Sequence, residues 1–178
     1  KIEAMPHNAT IYQIMRVWDR ENVTIIDANI DGRKDLNSAT SGEFGMGIDV
    51  RGGSNINLIR PITNNCFGDG IYWGLFGTTS TKDGYVLRHK AKGCRRQGFS
   101  LVSANGLVID SPIWEDIAGI EPAAGLDIEP NSNDDDLIGI KIINPVTKNC
   151  RIGILIYLGA LAGVKPKSID IKITNHTD

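Results

Sequence analysis

Three features are scarce in this sequence of 178 residues: cysteine, long apolar runs and an excess of charge of either sign. The three cysteines cannot form a disulfide framework and no CxxC pair indicates structural zinc, so we expect no metal and no other cofactor. No apolar run approaches the ~20 residues that span a bilayer, which argues against membrane insertion. With 19 basic and 21 acidic side chains, the chain lacks the basic excess of most nucleic-acid-binding domains, so we expect no nucleic acid as a partner.

Glycine recurs instead in a regular pattern, in which it is followed by an apolar residue, any residue and a second apolar residue. The five copies are Gly47–Val50, Gly70–Trp73, Gly98–Leu101, Gly125–Ile128 and Gly153–Ile156. Successive glycines are 23, 28, 27 and 28 residues apart. A second pattern interleaves with the first, at 22–25, 55–58, 84–87, 106–109, 137–142 and 168–173. Such short β-branched segments with a period of two, bounded by Gly, Asn, Asp or Pro, are typical of β-strands.

Two or three short strands in each repeat, without a sustained helical period, predict an all-β fold: a right-handed parallel β-helix of about six coils. One coil cannot bury its inward side chains alone, whereas stacked coils share a continuous core. The asparagine ladder and leucine spacing of the competing leucine-rich repeats are absent. We treat residues 1–178 as a single domain and, because the chain begins at Lys1 without a signal peptide, we expect it to be a segment of a longer chain.

Aligning the coils by their glycines places the side chains in columns. The expected core columns are Ile48, Ile71, Phe99, Leu126 and Ile154, and beside them Val50, Trp73, Leu101, Ile128 and Ile156. Both columns are wholly apolar, as alternation against a buried face requires. Cys66, Cys94 and Cys150 nearly form a further column, which small buried core residues explain better than metal ligands. Neither pattern gives a position to Trp18 or Trp114.

The outward positions carry acidic, basic and aromatic side chains. The outer columns are Asp49, Tyr72, Ser100, Asp127 and Leu155, and then Arg51, Gly74, Val102, Glu129 and Tyr157; Glu43, Asp69, Arg95, Arg96 and Gln97 precede the strands. Aromatic faces stack on sugar rings while carboxylates and guanidinium groups hydrogen-bond hydroxyls, so we expect a shallow glycan-binding groove. The alternative is that any solvent-exposed sheet is polar.

Four segments carry a resemblance to a known superfamily: 41–48, 68–72, 95–100 and 124–131. They resemble the rungs of pectate-lyase-like β-helix proteins, and most of all those of bacteriophage tailspike depolymerases, over roughly residues 10–175. The resemblance implies cleavage of bacterial capsular or O-antigen polysaccharide by outer-face carboxylates, a homotrimer and a place on the virion tail. A secreted bacterial protein is the alternative. Polygalacturonase-type relatives carry Gly-Asp-Asp, whereas here Gly70 follows Asp69, so their aspartate pair does not transfer directly.

Hydrolysis of a glycosidic bond requires one protonated carboxyl and one carboxylate. We expect Asp69 to be one of these groups, with Glu43 or Asp127 as its partner. Arg96, one rung above Asp69, would lower the pKa of that carboxyl or bind a substrate carboxylate. The structural alternatives are an Asp69 that caps the turn at Gly70 and an Arg96 in an ordinary salt bridge between rungs.

Further substrate contacts are expected from Tyr72, Asp49, Glu129 and Gln97. The basic run 88–96 would attract an acidic polysaccharide or form a solvated loop. The oxygen-rich loop 129–136 is a weak calcium candidate, because it lacks the glycine of an EF-hand loop.

Three functions stay open at this point. The first is a tailspike-type glycoside hydrolase, and the second is a polysaccharide lyase in which a basic residue abstracts the C5 proton of a uronate. The third is a non-catalytic β-helix that binds glycan or forms a rigid stalk. Six coils give only about 29 Å of solenoid, which is short for a complete depolymerase.

Overall fold

The computed structural model describes residues 1–163 and 167–178. Their strands are β1 (Ile2–Glu3), β2 (Ile11–Trp18), β3 (Glu21–Ile26), β4 (Asn29–Asp31), β5 (Phe44–Arg51), β6 (Ser54–Ile59), β7 (Ile62–Asn64), β8 (Ile71–Gly74), β9 (Thr81–Leu87), β10 (Lys90–Lys92), β11 (Gln97–Leu101), β12 (Ala104–Asp110), β13 (Ile113–Glu115), β14 (Ala124–Ile128), β15 (Leu137–Ile143), β16 (Val146–Lys148), β17 (Ile152–Ile156) and β18 (Ile169–Thr174). Two short 3₁₀ helices, Lys34–Leu36 and Gly159–Leu161, complete the regular structure of these ranges. No helix in them could span a membrane.

The strands form three parallel sheets of six strands each. The first sheet has the order β1-β4-β7-β10-β13-β16, the second sheet β17-β14-β11-β8-β5-β2 and the third sheet β18-β15-β12-β9-β6-β3. Each coil therefore contributes one strand to each sheet, and each strand pairs with its counterparts in the coils before and after. This arrangement confirms the predicted parallel β-helix of six coils and fits its right-handed form.

The glycine register correctly predicted how the second sheet pairs. Ile71 pairs with Ile48 on one side and Phe99 on the other, and the next column has Trp73 between its predicted neighbours in the same way. These side chains are fully buried in the middle coils. Ile156 in the last coil is 46% exposed, because β17 pairs with only one strand in the described part of the chain.

The repeated glycine is required by packing inside the coil. A Cβ atom on Gly98 would lie 2.6 Å from Cδ1 of Trp114, and one on Gly70 would lie 2.5 Å from Oγ1 of Thr63. Both glycines therefore face the interior, as the apolar residues that follow them do. The preceding residue, Asp69 or Gln97, consequently places its side chain on the outer face of the second sheet, where each contacts other polar groups.

Three large aromatic rings fill the centre of the core. The Phe99 ring lies 6.4 Å from the rings of both Trp73 and Trp114, centroid to centroid, and all three side chains are fully buried. The core position predicted for Trp73 is confirmed, and Trp114 joins it. Cys66 and Cys94 are free thiols buried in the same core, which confirms their assignment as small core residues.

The basic run does not form one cationic patch. His89 is fully buried; its Nδ1 accepts a hydrogen bond from Trp114 Nε1 at 3.2 Å, and burial lowers the pKa of the imidazole to about 3. Lys92 forms an ion pair with Glu115 at 3.3 Å, and Arg95 lies over the ring of Phe67. Arg88 and Lys90 stay exposed and line a surface cavity together with Arg60, so this part of the run keeps the character of the predicted steering patch.

Candidate functional site

The outer columns lie where the glycine register places them. On the second sheet Asp49 pairs with Tyr72, Tyr72 with Ser100 and Ser100 with Asp127. Asp49 and Asp127 are fully buried, however, and Tyr72 is only 7% exposed. The expectation of an open polar sheet is wrong for this column, because side chains of neighbouring rungs pack on one another and arginines lie across them.

Arg96 joins two of the predicted carboxylates. Its Nη1 donates to Oδ2 of Asp69 at 3.2 Å, and its Nε lies 3.6 Å from Oε2 of Glu43. Asp69 is fully buried, whereas about half of the Glu43 side chain is exposed. Three successive coils thus bring together the three residues that the spacing of the repeats predicted to be neighbours.

A second polar group forms around Asp127. Nε2 of Gln97 donates to Oδ2 of Asp127 at 2.6 Å, and both residues are fully buried. Glu129, two residues further along the chain, shares a hydrogen bond with the Asp127 carboxyl. Gln97 and Glu129, predicted as substrate contacts, are therefore first of all neighbours of this aspartate.

The two aspartates titrate far from their usual range. Burial raises the pKa of Asp69 to about 7; the Arg96 guanidinium opposes this, and the carboxylates of Asp127, Asp49 and Glu43 raise it further. Burial also raises the pKa of Asp127 to about 7, with the carboxyl of Glu129 as the second cause. Carboxyl groups that titrate near neutral pH are suited to acid–base catalysis.

Several buried polar atoms of this cluster have no hydrogen-bond partner among the described residues. They are Oδ1 of Asp69, Oδ1 of Asp127, Oε1 of Gln97 and Nε of Arg96. Leaving such an atom unpaired costs about 1–3 kcal/mol. Four of them in one cluster provide donors and acceptors for a ligand or for water.

A groove of about 460 Å³ opens beside the cluster. Its lining residues are Glu43, Phe44, Tyr72, Arg96, Ser100, Val102, Glu129 and Asn131. Sequence reasoning did not select Phe44 or Asn131. Asn131 lies two residues after Glu129 in the chain, and this short distance was a usable sign that Asn131 would line the same groove.

The loop 129–136 forms one wall of this groove. Oδ2 of Asp135 accepts hydrogen bonds from the backbone N–H groups of Asn131 and Ser132, both at 2.8 Å. That carboxylate therefore fixes the loop itself. Nowhere in residues 1–163 and 167–178 do three or more His, Cys, Asp or Glu side chains form a group that could hold a metal ion.

Tyr72 is less open than a free sugar platform. The Arg51 guanidinium carbon lies 4.3 Å from the centroid of the Tyr72 ring, and Nε of Arg51 donates to Oδ1 of Asp49 at 2.8 Å. One face of the ring is therefore covered, and the part that lines the groove remains for a ligand. The predicted platform at Tyr157 lies in the last coil and is 57% exposed.

These features define a parallel β-helix with a groove on one outer face and, beside it, an acidic cluster. The acidic cluster consists of Glu43, Asp69, Asp127 and Glu129 with Arg96 and Gln97. No protein-family model matches the chain, and no solved structure matches it significantly. The chain is 25% identical over 143 residues to the uncharacterized protein YclG of Bacillus subtilis (strain 168), a match that covers 72% of this chain and 24% of YclG. It thus spans about a quarter of that relative's length. The fold is consistent with a polysaccharide-acting or a structural protein, and the pectate-lyase-like resemblance stays a prediction.

Proposed function

We propose that this chain is a glycoside hydrolase that cleaves a bacterial surface polysaccharide, capsular or O-antigen, on the outer face of the second sheet. One observation carries the proposal: Asp69 and Asp127 are buried in a common polar cluster beside a groove, each with a pKa of about 7. A turn aspartate that only caps the chain would need neither the burial nor the shared electrostatic field. Glycoside hydrolysis requires two such carboxyl groups, one protonated and one ionised.

The contacts of the two carboxyls divide their roles. Asp69 receives a hydrogen bond from the positively charged Arg96, which favours its ionised form. Asp127 is paired with the carboxyl of Glu129, which favours retention of a proton. Neither carboxyl lines the groove, so each acts through a neighbour. Asp127 is the general acid, and its proton reaches the glycosidic oxygen through Glu129, which shares a hydrogen bond with it and lines the groove. Asp69 is the general base, and it takes a proton from the attacking water through one bridging water molecule.

The backbone separation of the two residues is too wide for a retaining pair. Asp69 lies two residues before β8 and Asp127 lies on β14, so the two residues are two rungs apart, about 9.6 Å along the solenoid axis, and Asp127 is also displaced by three residues along the strand. Inverting enzymes hold their carboxyl groups about 6.5–9.5 Å apart, and retaining enzymes about 5–5.5 Å apart. The wider spacing leaves room for the water molecule between them.

The groove supplies the contacts that hold the glycan. Glu43 and Ser100 offer hydrogen-bonding groups at its surface, and the Tyr72 ring offers apolar contact. Arg96, by contrast, is engaged by the carboxylates of Glu43 and Asp69, so it is not placed to abstract a proton. This contact favours a hydrolase over a lyase.

The polysaccharide partner, the homotrimer and the virion tail are also part of this proposal, and they rest on the resemblance to tailspike depolymerases. The alternative location is a secreted bacterial protein; the similarity to a Bacillus subtilis protein supports only the bacterial origin in that alternative.

The test is incubation with a panel of bacterial capsular and O-antigen polysaccharides, with products identified by mass spectrometry. We expect saturated oligosaccharides of inverted configuration, formed at a rate that falls at least about a hundredfold in Asp69→Asn and in Asp127→Asn. Asp110→Asn, which changes a half-buried aspartate on the third sheet, is the matched control and should keep full activity. Unsaturated products would establish a lyase instead, and no cleavage of any substrate would favour a binding or structural solenoid.

A further inference from the structure

A second cavity lies on the same outer face, at the first coil. It has a volume of about 370 Å³ and is lined by Arg16, Trp18, Asp19, Arg20 and Phe76. We call it the arginine pocket. Neither the acidic cluster nor the groove beside Tyr72 includes any of these residues.

Two arginine side chains lie against the indole ring of Trp18 in this pocket. The guanidinium carbon of Arg16 lies 4.4 Å from the Trp18 ring centroid, and that of Arg51 lies 5.1 Å from it. Such contacts hold a guanidinium group against the ring while its N–H edge remains available. The indole of Trp18 therefore forms the floor on which the two guanidinium groups rest.

The lining of the pocket carries more positive than negative charge, with two arginines and one aspartate. Arg16 and Arg20 form no ion pair with any described residue; the one hydrogen bond of Arg20 goes from Nη1 to the Asp19 backbone oxygen at 2.7 Å. Asp19 is the single acidic residue of the lining, and Arg51 beside it is paired with Asp49. Two guanidinium groups without an ion pair therefore share the lining with a single carboxylate, which suits an anionic ligand.

The register connects this pocket with the acidic cluster. Arg16 pairs with Asp49 and so continues the column that runs through Tyr72 and Ser100 to Asp127. Arg16 and Asp127 are four rungs apart, about 19 Å along the axis. A polysaccharide lying parallel to the solenoid axis would contact both sites.

From this geometry we infer that the arginine pocket binds a carboxylate of the polysaccharide, so that the substrate is an acidic glycan containing uronate or a similar sugar acid. The exposed ring of Phe76, 6.1 Å from Trp18 between centroids, provides apolar contact for the sugar. This inference rests on the proposed function, since it names the class of polysaccharide that the groove receives.

Affinity electrophoresis of the whole chain in gels that contain polygalacturonate, dextran sulfate or neutral dextran tests the inference. We expect retardation by polygalacturonate and none by dextran. Affinity should fall about tenfold in Arg16→Gln and in Arg20→Gln, since each substitution removes a charge-assisted hydrogen bond. Lys141→Gln removes the same charge from an exposed position on the third sheet, four coils from the pocket, and should leave affinity nearly unchanged. Circular dichroism spectra would verify that each variant is folded.

The outcomes separate this inference from the hydrolase proposal. Three results would overturn the arginine pocket. They are an equal loss of affinity in Lys141→Gln, no retardation by polygalacturonate, and equal retardation by dextran. If dextran sulfate retards the chain and polygalacturonate does not, the pocket binds a sulfate ester rather than a carboxylate, and the assigned ligand is wrong. If polygalacturonate binds through Arg16 but no glycan is cleaved, the pocket stands and the hydrolase proposal fails. If a neutral glycan is cleaved and polygalacturonate does not bind, the hydrolase proposal stands and the pocket fails.

Discussion

At the scale of single residues, Asp69 is a carboxyl whose ionised form the fold disfavours. Its folded-state pKa of about 7 lies above the usual 3.8, so the folded protein binds more protons than the unfolded chain between these values. The stability contributed by protonated Asp69 is therefore complete below pH 3.8 and is lost as the pH rises through about 7. We expect Asp69→Asn to exceed the wild type in free energy of unfolding by roughly 1–3 kcal/mol at pH 8, and by much less at pH 4. Urea unfolding at both pH values measures this difference.

Asp110→Asn again serves as the control, because Asp110 lies on the third sheet, where it accepts a hydrogen bond from the neighbouring Ser111 and contacts Tyr85, away from the acidic groups around Asp69. Its effect should differ little between the two pH values. A loss of stability in Asp69→Asn at both pH values would instead make Asp69 a structural turn residue, kept for its contacts with Arg96.

At the scale of the strand, the glycine before each inward apolar residue shapes the site. A methyl group at position 98 would meet the Trp114 ring and the backbone oxygen of Gly125, each 2.6 Å away. Overpacking of this kind costs about 1–3 kcal/mol, so we expect Gly98→Ala to unfold at a lower temperature and to bind glycan less well through a displaced Gln97. Thermal unfolding followed by circular dichroism checks the first effect.

The matched control is Gly77→Asn. A Cβ at Gly77 meets no atom within 4 Å, and asparagine tolerates its positive φ of 61°. This variant should unfold close to the wild-type temperature. If Gly98→Ala unfolds at the wild-type temperature, the overpacking prediction is wrong, because the core around Trp114 then accommodates an added methyl group.

The same glycines explain what the sequence made predictable. A period of 23 to 28 residues fixes which strands pair, and alternation within each strand fixes which side chains face inward, so the columns through Phe99 and Asp127 follow from the sequence. The rung of β2 was missed because it lacks the glycine. The burial of Asp49 and Asp127 could not be predicted either, because it depends on how the long side chains of neighbouring rungs cross the sheet.

At the scale of the whole molecule, stability should decline from the middle coils toward both ends. β8 and β11 each pair on two sides and are wholly buried, whereas β2 and β17 end the second sheet and expose several side chains. In a stacked repeat each coil is stabilised by its neighbours, so the end coils open more readily. We expect amide hydrogens of β8 and β11 to exchange much more slowly than those of β2 and β17 in hydrogen-exchange mass spectrometry. Uniform exchange would mean that all six coils open as one unit.

The stacking of coils also limits how the proposed catalytic geometry can change. One coil, which carries Gln97 on β11, separates the rung of Asp69 from that of Asp127. Loss of that coil would shorten their axial separation from about 9.6 Å to about 4.8 Å, and a duplicated coil would lengthen it to about 14 Å. The separation therefore changes only in whole steps. A deletion of one complete repeat in the gene would bring the two aspartates one rung closer together without altering either of them.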